Sequence, residues 1–179
     1  PEINIDPTIA GSVVGTYWFL MMIGRLCGAS IGAKVSSRAM LTVVSTVGIA
    51  LVLGAIFCAD NILVNMPVFK SDISFGFAQV PVNVMLLILC GLCTSVMWGG
   101  IFNLAVEGLG KYTAAASGLF MVMVCGGGIL PLIQGGVADF AGFLNSYWVI
   151  ALGLAYILFY AAIGSKNVNT DIPTDDYEA

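Results

Sequence analysis

Few residues of this chain are equipped for chemistry. Thr94 and Trp98 stand four apart in an otherwise apolar run, and Asn103 follows within the same run. At helical spacing, residues four apart share a face, so a hydroxyl and a large aromatic ring sit together. Gln134 supplies a second amide in a later run, and Asn83, Ser95, Ser117 and the pair Tyr17–Trp18 are further polar groups within the apolar runs. An aromatic ring with amide and hydroxyl neighbours suits a neutral sugar, whose apolar ring face stacks while its hydroxyls pair. Each of these residues alone also serves as a helix-packing bond or an interface anchor. Trp98, Asn103, Gln134 and Thr94 are therefore the candidate substrate-cavity residues.

Arg25 is the one charge well inside an apolar run, roughly 12 Å from the run's end at about 1.5 Å per residue. Two readings stand. Its guanidinium snorkels to the membrane surface, or it faces inward as a gate pair with Glu107, which ends the third run. Charge exchange that rescued single neutralisations would mark the pair. No Asp, Glu or His lies at the middle of any run, and the chain has no His at all. Nothing here can carry a coupling proton.

Enzyme signatures are absent as well. The sequence holds no phosphate-binding Gly-x-x-x-x-Gly-Lys-[Ser/Thr] loop, no His for a zinc site or triad, and no paired intramembrane carboxylates. Cys90-x-x-Cys93 has no second pair, no His and no basic neighbour, so it reads as small apolar packing rather than a metal or redox site. Five cysteines, all in or beside apolar runs, argue against a disulfide framework. No enzyme activity, cofactor or metal is expected. A formal net charge of −4 leaves nothing to neutralise a row of phosphates, which argues against nucleic acid.

The elements that must carry these residues follow from composition. Hydrophobic residues make up 59% of the chain and charged residues 9%, against about 25% charged in a soluble domain. So few charges cannot cover this much apolar surface, and lipid must do part of the solvating. Five runs reach the length of about 20 residues that a helix needs to cross a bilayer: 9–33, 39–59, 82–106, 112–138 and 146–164. The expected fold class is an all-α membrane protein, with residues 1–165 forming a transmembrane bundle and 166–179 an acidic cytoplasmic tail. Residues 60–81, with Asn61, Asn65, Pro67, Asp72 and Pro81, read as a long breaker-rich loop. Lys34, Arg38, Lys111 and Lys166 fall on one side and Lys70 alone on the other, which places the short turns and the C-terminus in the cytoplasm. Pro1 opens in mid-loop without a basic leader, which predicts a piece of a longer protein.

Gly24, Gly28 and Gly32 repeat every four residues, as do Gly11 and Gly15. Such a strip admits another helix at close range. Its partner is expected outside the chain, so five helices alone should fold poorly. Gly126-Gly127-Gly128 followed by Pro131 should bend the fourth run, either for close packing or as a hinge facing a cavity.

Several of these segments resemble a known family. Gly24-Arg25-Leu26-Cys27-Gly28 resembles the Gly-Arg-x-x-Gly of the eighth helix of the fucose and glucose/galactose permeases, a subfamily of the major facilitator superfamily. Trp98-Gly99-Gly100-Ile101-Phe102-Asn103-Leu104 is similar to its tenth helix. Ala116-Ser117-Gly118, and Gly126-Gly127-Gly128-Ile129 through Pro131 and Gly135, are similar to its eleventh. The turns Glu107-Gly108-Leu109-Gly110-Lys111 and Asp139-Phe140-Ala141-Gly142 fit the same order. Gly99-Gly100 departs from the family's usual Pro-Thr, so any bend there is differently made.

The resemblance implies helices eight to twelve of a twelve-helix transporter in a bacterial inner membrane. It also implies proton-coupled import of a monosaccharide by alternating access, with the acidic coupling residues in the absent amino-terminal helices. The partners implied are a monosaccharide, a proton, the lipid bilayer and those missing helices. A facilitator for another small solute, or a non-transporting scaffold or channel subunit, is the alternative. By itself the chain is not expected to transport.

Overall fold

The computed structural model describes residues 7–58, 62–69 and 74–166. The acidic residues of the expected tail, together with Asn61, Lys70 and Asp72, lie outside them. Helix α1 runs Pro7–Gly32, α2 Ser37–Phe57, α3 Val82–Val106, α4 Thr113–Met123, α5 Gly126–Ala141 and α6 Phe143–Phe159. A 3-10 turn, Gly110–Tyr112, leads into α4, and a π turn, Tyr160–Gly164, closes α6. Among the described residues, five helical stretches are long and apolar enough to cross a membrane: Ile9–Gly32, Ser37–Phe57, Val82–Val106, Gly110–Ala141 and Phe143–Gly164. The protein is thus a helical membrane bundle, as its composition requires.

Helix α3 is the centre of the bundle. It lies against α1 on one side and α2 on another, α2 also packs on α6, and α5 packs on α6. The α2 face Leu41, Ser45, Gly48, Val52 and Ala55 is buried. Leu41 faces Gly100, Gly48 lies near Cys93 and Met97, and Gly54 lies near Leu86, so α2 runs antiparallel to α3. Trp148 meets Phe57 edge-on at 6.1 Å, near the start of α6 and the end of α2. At the other end of these helices the Arg38 guanidinium Nη2 donates to the Ser165 carbonyl at 2.9 Å. This tie joins the start of α2 to the end of α6, 127 residues apart. Turns and chain ends alternate accordingly, and Lys34, Arg38, Lys111 and Lys166 collect at one end of the bundle.

The glycine repeat divides its work. A Cβ at Gly24 would collide with the Ser95 side chain and lie 3.0 Å from the Leu92 carbonyl, and one at Gly28 would collide with Val96. These two glycines therefore set the close approach of α1 to α3. Gly11 faces open space, Gly15 faces the Phe69 carbonyl, and Gly32 reaches only Met40. The partner of the strip is α3, within this chain, and not a helix outside it. The expectation of an orphaned glycine strip is corrected. It failed because spacing reveals a close contact but not which helix makes it.

The breaker-rich segment is also not simply a loop. Strands β1, Leu63–Phe69, and β2, Phe75–Pro81, form an antiparallel hairpin in register from Leu63↔Pro81 to Phe69↔Phe75. Both strands are edges, which is where a proline such as Pro67 is tolerated. Met66, Val68 and Val80 are buried with Ile88 of α3 and pack against Ile9, Val13, Tyr17 and Leu20 of α1. The Phe69 N–H donates to Thr16 Oγ1 at 2.8 Å. Phe19 stacks on Phe69 at 5.2 Å and meets Phe75 edge-on at 5.4 Å. The hairpin thus fastens α1 at the end of the bundle away from the basic turns.

The fourth span breaks between α4 and α5, at Val124 and Cys125. Here the amides of Val124, Cys125, Gly127 and Gly128 donate to carbonyls three residues back, as in the tighter 3-10 helix. Pro131 sits inside α5. It lacks the N–H that would bond the Gly127 carbonyl, and its ring crowds that carbonyl. The break lets α4 lean on α3 while α5 lies on α6. Gly142 turns the chain into α6 at φ 91°, a conformation that favours glycine.

These contacts predict opposite outcomes at two kinds of glycine. Gly28→Val should overpack the α1–α3 crossing and destabilise the detergent-solubilised protein by about 1–3 kcal/mol. Gly153→Ala, whose new methyl meets open space, should be neutral or stabilising by up to about 1 kcal/mol. Thermal unfolding followed by thiol-reactive fluorescence separates the two.

Candidate functional site

Hydroxyls inside an apolar helix are first met by their own backbone. Ser95 Oγ donates to the Leu92 carbonyl at 2.6 Å, Ser117 Oγ to the Thr113 carbonyl at 2.7 Å, and Thr94 Oγ1 to the Gly91 carbonyl at 3.2 Å. These bonds satisfy the groups locally. Thr94 differs by having a second partner: Tyr17 Oη of α1 lies 3.3 Å from its Oγ1. Gly91 makes room for this meeting, since a Cβ there would stand 2.9 Å from the Tyr17 ring.

One helical turn beyond Thr94, Trp98 is 48% exposed. Phe120 of α4 meets the Trp98 ring edge-on at 5.3 Å and the Phe102 ring at 5.4 Å. Thr94 and Trp98 therefore do share a face of α3. That face is flanked by Tyr17 from α1 and Phe120 from α4, a hydroxyl pair on one side and an aromatic cluster on the other. It can stack an apolar ring face and exchange hydrogen bonds with hydroxyls.

The other two cavity candidates lie elsewhere. Asn103 is exposed and its Nδ2 points at Ser37 Oγ from 3.5 Å, too far for a strong bond. It lines an open cleft of about 530 Å³ with Ser36, Ser37, Arg38, Leu104, Val106 and Glu107, at the basic end of the bundle. Gln134 lies on α5, which packs on α6. Among the described residues it has no hydrogen bond to α3.

Arg25 and Glu107 are not joined. Among the described residues they form no ion pair. Arg25 is exposed, with Nη2 3.9 Å from Met21 Sδ. The reason is rotational: Gly24 faces α3, and the next residue is turned about 100° away from that contact. Glu107 shares its cleft with Arg38 instead. The gate pair expected from position along the spans is therefore not formed in this structure. Cys90 and Cys93 are free and buried in the core around α3. Among the described residues no cluster of His, Cys, Asp or Glu is arranged to hold a metal.

The chain is 30% identical over 169 residues to the glucose/galactose transporter of Brucella abortus, a match covering 90% of this chain and 36% of that protein. A putative glucose/galactose transporter of Helicobacter pylori is also 30% identical over 169 residues, 92% of this chain and 37% of that protein. The L-fucose-proton symporter of Escherichia coli is 33% identical over 92 residues, 51% of this chain and 21% of that protein. The chain thus spans a little over a third of the length of the first two relatives. No family model matches it, and no solved structure matches it significantly.

The charged tie beneath the cleft yields a prediction. Arg38→Ala removes the donor to the Ser165 carbonyl, a loss of about 1.5–3 kcal/mol for a charge-assisted bond. Amide exchange across residues 160–166 should quicken, while that of the hairpin at the opposite end should stay as it is.

Proposed function

We propose, since this chain belongs as a partial region to the sugar-permease branch of the major facilitator superfamily, that it is the C-terminal five-helix part of a proton-coupled monosaccharide transporter. In this reading its spans are helices eight to twelve, and the solute moves by alternating access. The observation that carries the reading is the similarity to two glucose/galactose transporters over nine tenths of the chain. The face of α3 bearing Thr94 and Trp98 supports it chemically. An indole ring stacks on the apolar face of a sugar, and neighbouring hydroxyls bond the sugar's own.

The labour is divided between halves. No Asp, Glu or His lies at the middle of these spans, so the groups that take up the coupling proton belong to helices upstream. This part supplies solute contacts and a cleft at one mouth, with Asn103 and Glu107 lining it. Gly127 and Pro131, beside the break in the fourth span, are where that span flexes. The gathering of Lys34, Arg38, Lys111 and Lys166 at one end supports a bacterial inner-membrane orientation with the cleft and the C-terminus on the cytoplasmic side. Its partners are the monosaccharide, the proton, lipid and the upstream helices, and it performs no covalent chemistry.

Uptake of radiolabelled sugar into cells carrying the whole transporter tests this. Accumulation is expected, with collapse on adding a protonophore and competition from glucose, galactose, fucose or N-acetylglucosamine. Accumulation insensitive to all four sugars would assign another solute, and no accumulation of any solute would leave a scaffold. The five-helix chain by itself should accumulate nothing.

A further inference from the structure

Tyr17 is not among the four candidate cavity residues, yet its side chain pairs with the Thr94 hydroxyl of α3. We infer that the Tyr17–Thr94 hydroxyl pair is a specificity determinant, the polar half of the solute face whose apolar half is Trp98. The inference rests on the transport reading above and adds to it a residue and a selection rule. The pair discriminates a solute carrying adjacent hydroxyls from its deoxy analogue.

Depth is the first support. Thr94 stands at the midpoint of α3, Val82–Val106, and Tyr17 just before the midpoint of α1, Pro7–Gly32. Both are far from the headgroups that usually receive a tyrosine hydroxyl. Unspent hydrogen-bonding capacity is the second. The Tyr17–Thr94 separation is 3.3 Å and the Thr94–Gly91 carbonyl separation 3.2 Å, both long for a hydroxyl bond, which favours about 2.7–2.8 Å. When Thr94 donates to Gly91, Tyr17 donates to Thr94 and its own lone pairs stay unused. When Thr94 donates to Tyr17 instead, the phenolic proton is unused. Either way the phenol keeps capacity for one further hydrogen bond. A solute hydroxyl meets it.

Preorganisation is the third support. Gly24 and Gly28 hold α1 against α3 on one side of Tyr17. On the other, the hairpin holds α1 through Thr16 and through Ile9 and Val13. Gly91 leaves the ring its slot. A hydroxyl fixed in this way need not be ordered when solute arrives, so its bond counts fully toward selection. Trp98, one turn along α3 and 48% exposed, provides the stacking surface beside it. A site built to bond a hydroxyl rejects the analogue lacking it, because its own polar group is then left unpaired.

The test is made in the whole transporter, by comparing KM for the transported sugar and its series of single-deoxy analogues. The unaltered protein should discriminate against at least one analogue by about tenfold or more. Tyr17→Phe should raise KM for the parent sugar by roughly tenfold and erase that discrimination, with a much smaller change in maximal rate. Thr94→Ser, which keeps the hydroxyl, should retain the discrimination that Thr94→Val loses, so the result stands even if Tyr17→Phe fails to reach the membrane. Discrimination unchanged in Tyr17→Phe or in Thr94→Val would reduce the pair to a brace between helices and overturn the inference. Absence of any sugar transport by the unaltered protein would instead bring down the transport reading, so the two failures are distinguishable.

Discussion

Helices in lipid cannot associate by hiding apolar surface, because the surrounding tails are as apolar as the side chains. They associate where backbones approach closely enough for dense packing and where polar groups find partners. In this protein that constraint is met chiefly at α3. Glycines at 24 and 28 admit α3 to α1, and Gly91 on α3 admits the Tyr17 ring in return. Fill those contact points with larger side chains and the central helix loses its neighbours. The face carrying Thr94 and Trp98 is oriented by the same contacts, since the sides of α3 spent on α1 and α2 determine which side remains free.

The hairpin and the broken span complete that arrangement at opposite flanks. Besides the glycine crossing, α1 is anchored through Thr16, Phe19 and the cluster around Val68 and Val80. Two attachments on either side of Tyr17 restrain the helix against rolling. The fourth span behaves differently. Its halves contact different helices, and its break lies in a stretch of three-residue backbone bonds just before a proline. A firm α1–α3 pair beside an articulated fourth span suits the proposed role, in which this part holds a solute and still changes shape.

Polar groups are distributed with the same economy. Ser95 and Ser117 bond their own helix, Lys34, Arg38, Lys111 and Lys166 gather at one end, and Glu107 lines a cleft at that end together with Arg38. The neutral Thr94–Trp98 face lies at the middle of the bundle and the charged cleft at its end. In a chain that spans about a third of its first relatives' length, the proposed transport reading leaves proton coupling to helices outside it.

Much was legible in the sequence because lipid imposes strong rules on composition. Five apolar runs, their up-and-down order, the basic side and the shared face of Thr94 and Trp98 all follow from hydropathy and helical period alone. The hairpin was hidden by Pro67, Pro81 and the polar residues around them. Its signal was the two-residue alternation that buries Met66, Val68 and Val80 while exposing Asn65, Pro67 and Gln79. Position along a helix does not reveal rotation about it. For that reason Arg25 and Glu107 read as a pair although Gly24, and not Arg25, faces α3. Spacing likewise identified a glycine strip without naming its partner. Tertiary structure alone decided which helix fills each close contact, and so brought Tyr17 to Thr94 across 77 residues of chain. The residues of chemical interest were visible from the start, but their companions were fixed by packing angles that no linear pattern records.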